Sequence, residues 1–210
     1  MVKIEKSLRY AGKVFASSNE WKRGTDVFQQ LINDSHNKCY ICEDSESELN
    51  VDHIKPQSKY SEPEYAFGWD NLLPACKNHC NALKGNAYEN IINPTVIDPE
   101  QKIRLSLDDR WIAVEPLDGE LDTQETVALL NRIYNATGAS VNWRVKCAKL
   151  RGKVQKKVNV FLSYTENAGN STYDALIMQE IDRSSPFAAF KREIVRNDPE
   201  LLARFSAVLL

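Results

Sequence analysis

Four of the five cysteines of this 210-residue chain fall between positions 39 and 80, as Cys39-Tyr-Ile-Cys42 and Cys76-Lys-Asn-His-Cys80. No other feature restricts its fold as strongly. A CxxC pair supplies two soft donors and a tetrahedral zinc ion takes four, so a second cysteine pair about 30 residues on is the expected complement. The start, MVKIEKSLRYAGKVF, is charged every few residues and lacks the apolar stretch of an export signal. With Cys147 the cysteine count is odd, which together with that start points to a reducing cytoplasm where paired cysteines hold metal. The expectation is a structural zinc on Cys39, Cys42, Cys76 and either Cys80 or His79, since Cys76-x-x-His79 has the commoner two-residue gap. Four unrelated buried thiols are the alternative. A thioredoxin-like redox pair would need βαβ surroundings that this sequence lacks.

The rest of the pattern predicts an α+β protein. With 42% hydrophobic and 27% charged residues the chain can bury a core without disulfide staples. No run of about 18 apolar residues offers a membrane span. Residues 1–23 hold six basic and two acidic residues and read as a basic arm that begins as a strand. A helix follows over 25–33, with Val27, Phe28, Leu31 and Ile32 at helical spacing. Val51 to Ile54 reads as a short strand, 55–70 as an irregular loop with Pro56 and Pro63, and Asn78 to Lys84 as a short helix stopped by Gly85. Alternation around Asp108-Asp109 predicts a hairpin. Helices are expected from a cap at Thr123 or Thr126 to about Asn135, then over 140–163, 171–182 and 186–206, the last with Pro186 near its start. This divides the chain into an arm and helix (1–35), a metal-bearing core with the hairpin (36–120) and a helical region (121–210).

Between the two cysteine pairs lies Val51-Asp52-His53-Ile54-Lys55-Pro56. A histidine after an aspartate at the end of a short strand is well placed as a general base, although an Asp-His pair alone is usually a surface hydrogen bond. Its place inside the zinc unit, with Asn71 and with Asn81-Ala-Leu-Lys84-Gly85, raises its weight. The formal charge is −2, so no global positive field marks a nucleic-acid binder. Locally, residues 144–157 carry seven basic residues and no acidic one, a run suited to phosphate contacts or to a solvated helix face. Residues 98–125 hold nine acidic and three basic residues and could face a partner. Trp21, Trp69, Trp111 and Trp143 read as core or interface anchors, and Cys147 as a buried thiol.

The order CxxC, DHI.P, NLLPAC and CN..KG resembles the HNH endonuclease motif over roughly residues 36–90. The likeness implies a ββα-metal nuclease core around one catalytic divalent ion, Mg²⁺ or Mn²⁺, followed here by a mainly helical C-terminal region. It implies a catalytic set of His53, Asp52, Asn71 and Asn81: His53 as base, Asp52 and Asn81 on the ion, and Asn71 holding the loop that orients His53. Asn81 stands where the family name expects a histidine, a replacement common in the family. Cys80, directly before Asn81, becomes the fourth structural Zn²⁺ ligand by the same likeness. From the residues themselves, Lys84 could reach a phosphate, although a lysine beside a helix-ending glycine is more often solvated, and Arg144, Lys146, Lys149, Arg151 and Lys153 are the DNA contacts if the basic run is not a solvated face. The segments MVKIEKS, YAFGWDNLLPAC, NPTVIDPEQ, LLNR and SPFAAFKR also resemble the HNH subunit of retron-associated and Septu-type (PtuB-like) antiphage systems. That likeness implies a cytoplasmic effector acting on DNA with an ABC-type, PtuA-like ATPase, and a retron reverse transcriptase with its msDNA as a further partner. A tRNA-directed HNH nuclease and a zinc-stabilised binding module without catalysis are the competing readings.

Overall fold

Alternation over residues 49–53 sets β1 (Leu49–His53) against β2 (Leu72–Cys76) in an antiparallel pair, with Leu49 opposite Cys76 and His53 opposite Leu72. Every residue of β2 is buried, because one face meets α1 (Asp26–Asp34) and the other meets the cysteine cluster and the main core. The Thr25 hydroxyl caps α1 by accepting from the Phe28 N–H at 3.2 Å. After β2 a tight turn leads to α3 (Cys80–Lys84), shorter than the expected helix from Asn78, and Gly85 ends it with a positive φ of 49°. Strand, strand and helix form the ββα unit. The computed structural model describes residues 1–108 and 111–209, so Asp109, expected beside Asp108 at a hairpin turn, lies outside the described residues.

Residues 55–70 are more ordered than an irregular loop. They hold a 3₁₀ turn at Gln57–Lys59, the helix α2 (Pro63–Phe67) and a second 3₁₀ turn at Trp69–Asn71. Pro63 sits in the first turn of α2, where a missing N–H costs nothing. At Gly68 the chain doubles back so closely that a Cβ would lie 2.3 Å from the Glu64 carbonyl oxygen. Glycine alone has room for that return.

The N-terminal arm does not begin as a strand. Met1, Val2 and Ile4 are buried in the core, and the Ile4 N–H bonds singly to the Pro94 carbonyl, which is too little for a ladder. Lys6 turns inward, donating to the carbonyls of Trp69 and Leu72 and lying 4.1 Å from the Trp69 ring centroid. Burial lowers its ammonium to about 7, with Asp70 and Asp34 opposing. In the unfolded chain the same group titrates near 10.5. Between those values unfolding takes up a proton, so this contribution makes stability rise with pH, and below about 7 it is flat. Lys6→Met is expected to remove that slope, which reaches up to about 1.4 kcal/mol per pH unit. Urea unfolding at several alkaline pH values checks this; equal slopes in both proteins would refute it.

A second antiparallel pair, β3 (Ile103–Leu107) and β4 (Ile112–Pro116), packs on α4 (Leu121–Asn135). Thr123 and Thr126 do not cap that helix. They lie inside it and are buried, and the Thr126 hydroxyl accepts from the Ile92 N–H at 2.8 Å while donating to the Asp122 carbonyl. Then come α5 (Val141–Thr165), α6 (Ser171–Ile181), α7 (Ala188–Asn197) and α8 (Pro199–Phe205). The single helix expected over 186–206 is two helices, because Pro199 cannot continue α7 and the Asp198 carboxylate caps α8 from Glu200 and Leu201. One buried cluster runs through Ile4, Ile41, Leu73, Ile92, Ile112, Leu130, Val154 and Phe190 and so draws on every region of the sequence. Among the described residues no helix is long and apolar enough to cross a membrane.

Candidate metal centres and catalytic cleft

The turn before β1 brings Cys39 and Cys42 to the end of β2 and the start of α3, which carry Cys76 and Cys80. The four sulfurs lie within 4.8 Å of one another, and Cys42 and Cys76 are 3.6 Å apart. Zinc–thiolate bonds of about 2.3 Å in a tetrahedron place sulfurs about 3.8 Å apart, so the cluster fits a structural zinc. All four cysteines are buried, leaving no path for a substrate. His79 is not part of the cluster. Its ring packs against Trp143 with centroids 6.3 Å apart, and its Nε2 lies 3.6 Å from the Cys147 sulfur. Cys147 is buried, as expected, against α4.

His53 ends β1 beside an open cleft of about 440 Å³, lined also by Asp52, Gln57, Ser58, Asn81 and Lys84. Its Nε2 is 2.9 Å from the Ala66 carbonyl oxygen. A carbonyl only accepts, so Nε2 carries the proton and Nδ1 keeps a lone pair. Trp21 packs edge-on against the imidazole with centroids 5.5 Å apart. Burial holds His53 below its ordinary pKa, against the Ala66 carbonyl and Asp52, which raise it. Neutral imidazole is the form a general base needs.

Asn71 fixes the approach to His53 by three hydrogen bonds. Its amide nitrogen donates to the Tyr65 and Lys55 carbonyls at 2.6 and 2.9 Å, and its oxygen accepts from the Lys55 N–H at 2.8 Å. Asp52 is buried; burial raises its pKa, while Lys84 and the Tyr40 hydroxyl pull it down. Asn81, at the first turn of α3, donates from its amide nitrogen to the Val51 carbonyl at 3.2 Å, which leaves its oxygen for the cleft. Asp52 and Asn81 are the oxygen donors that could hold a hard divalent cation here.

Lys84 departs from the expected phosphate contact. It is 1% exposed, its ammonium donates to the His53 carbonyl and lies 3.2 Å from Asp52 Oδ2, so its charge is spent inside the fold. The basic run of α5 also divides. Arg151 donates to the Tyr134 carbonyl at the end of α4, and Lys153 pairs with Asp44 at 2.8 Å. Lys146 bonds the Asn78 carbonyl and lies over Trp143. Arg144 and Lys149 are exposed. The acidic stretch is largely consumed as well: Glu100 binds Arg192 and Arg196, Asp98 binds Arg183, and Asp118, Glu120 and Asp122 surround Lys102. Trp69 is wholly buried, Trp21 and Trp143 pack on histidines, and Trp111 is half exposed.

Residues 39–87 match the HNH endonuclease family, the segment that holds the four cysteines and the cleft. The fold and site thus define an α+β protein with an HNH endonuclease domain and a helical C-terminal region. Over 82 aligned residues the chain is 43% identical to the Septu protein PtuB of Bacillus thuringiensis, a stretch that covers 36% of this chain. The aligned stretch spans 31% of that relative's length. No solved structure matches the chain.

Proposed function

We propose that the chain is a divalent-metal-dependent HNH endonuclease that hydrolyses phosphodiester bonds in DNA as the nuclease of a Septu-type antiphage system. The observation that carries this reading is the convergence of His53, Asp52 and Asn81 on one cleft beside the four-cysteine cluster. Mg²⁺ or Mn²⁺, when bound, offsets charge on the phosphate and on the departing 3′ oxygen. Asp52 and Asn81 would hold it through oxygen, and so few protein ligands would give it a weak affinity in the absence of substrate. His53 takes a proton from the attacking water at Nδ1 as the water oxygen bonds to phosphorus and the P–O3′ bond breaks. Asn71 acts one step back, keeping the segment around Lys55 and Tyr65 against β1 so that His53 keeps its orientation. The cysteine cluster is structural.

A PtuA-like ABC-type ATPase is the proposed partner, with a retron reverse transcriptase and its msDNA as a second arrangement under the same likeness. The proposed setting is the cytoplasm. The decisive assay is plasmid nicking by the purified chain with Mg²⁺ or Mn²⁺ against EDTA, alone and with the ATPase and ATP. Metal-dependent nicks support the reading. DNA binding with no cleavage under any of these conditions would replace it with a non-catalytic binding module, and cleavage of tRNA alone would move the substrate.

The exposed bases of α5 are the proposed DNA-contacting face. An Arg144→Glu, Lys149→Glu double variant is expected to weaken DNA binding uniformly across sequences. The slope of log K against log salt should fall by about two. Fluorescence anisotropy over a salt series checks this, and an unchanged slope would make α5 a merely solvated face.

A further inference from the structure

Tyr40 occupies the middle of the first cysteine pair, is 2% exposed, and its hydroxyl donates to Asp52 Oδ2 at 2.7 Å. The Lys84 ammonium lies 3.2 Å from the same oxygen. Among the described residues no donor reaches Oδ1, so both holders converge on one edge of the carboxylate. Each holder is also tied to the cysteine cluster. Tyr40 follows Cys39 directly, and its backbone N–H donates to the Pro74 carbonyl at 2.9 Å, so its ring cannot swing without moving the knuckle. Lys84 stands one helical turn after Cys80 on α3.

We propose that Tyr40 and Lys84 are positioning residues that lock the Asp52 carboxylate with Oδ2 turned inward and Oδ1 toward the cleft, so that the affinity of the cleft for its divalent cation depends on the integrity of the four-cysteine cluster. This rests on the reading of the cleft as a cation site. A carboxylate free to rotate must be ordered on binding, whereas one held by two donors meets the cation in place. Both donors sit on the far oxygen, so neither occupies the edge of the carboxylate that would meet the cation.

The test measures Mn²⁺ binding to the full, zinc-loaded, DNA-free chain by electron paramagnetic resonance, beside zinc content and melting temperature. Tyr40→Phe is expected to keep its zinc and fold, to bind Mn²⁺ about tenfold more weakly, and to raise the Mn²⁺ concentration for half-maximal nicking by the same factor. Wild-type affinity in a zinc-replete Tyr40→Phe protein would overturn the proposal. Reciprocity gives a wild-type readout as well: saturating Mg²⁺ must tighten the chain's zinc affinity, measured by equilibrium competition with a zinc-selective chelator, and an unchanged affinity overturns the coupling. The zinc-affinity readout on the wild-type chain carries the test if Tyr40→Phe fails to fold. Wild-type chain that binds no Mn²⁺ at all would instead sink the cleft reading and the coupling with it. Tight binding untouched by Tyr40→Phe sinks the coupling alone.

Discussion

Replacing His53 with alanine is expected to slow plasmid nicking by about 10²- to 10⁴-fold at saturating Mg²⁺, the usual contribution of a general base. The effect should fall on the chemical step. His53 holds no cysteine or carboxylate in place; its ring bonds the Ala66 carbonyl and packs edge-on against Trp21. Zinc content and DNA affinity should therefore remain near wild type, while the rate at saturating DNA and metal collapses. Single-turnover nicking, with DNA binding measured separately, distinguishes this from a binding defect. A variant that cleaves as well as the wild type would remove His53 as the base.

The second large effect concerns the cysteines. Structural zinc supplies on the order of 10 kcal/mol or more to small sites at neutral pH, comparable to the whole net stability of a domain, about 5–15 kcal/mol. The Cys39→Ser, Cys76→Ser double variant takes one ligand from each pair and is expected to unfold the ββα unit. Because β2 is buried along its whole length and shares one core with α4, α5 and α7, the damage should spread through the chain. Circular dichroism with metal analysis reads it directly. A soluble double variant that melts normally would show that the cluster does not hold a structural metal.

What the sequence made legible was local and chemical. The two cysteine pairs could be joined because four soft ligands at such spacing have one good use, and DHI with the two asparagines could be placed around them by order alone. Secondary structure followed where periodicity was strong, as in α1, α5 and the β3–β4 hairpin. It failed where a single residue decides. Pro63 starts a helix inside what looks like a loop, Pro199 divides what looks like one helix, and Thr126 resembles a cap but satisfies the Ile92 backbone instead. Charge was the least legible property. A run of bases or acids shows no pairing partners, and only the fold reveals that Lys84, Arg151, Lys153 and Glu100 spend their charge internally. The role of Tyr40 is hidden in the sequence for a related reason: between two cysteines it looks like filler, and its link to Asp52 exists only once β1 lies beside the knuckle.

The pairing of distant parts around the knuckle also bears on when this chain becomes competent during synthesis. Glu43, next to Cys42, accepts the Ala189 N–H, and buried Lys38 donates to the carbonyls of Arg183 and Ser185. Residues 52, 53, 71 and 81 are each made about a hundred residues or more before those partners. The nascent chain carries the whole histidine and asparagine constellation without the frame that holds it. Under the proposed nuclease reading, the cleft gains its full support only after α6 and α7 are made and pack against the knuckle.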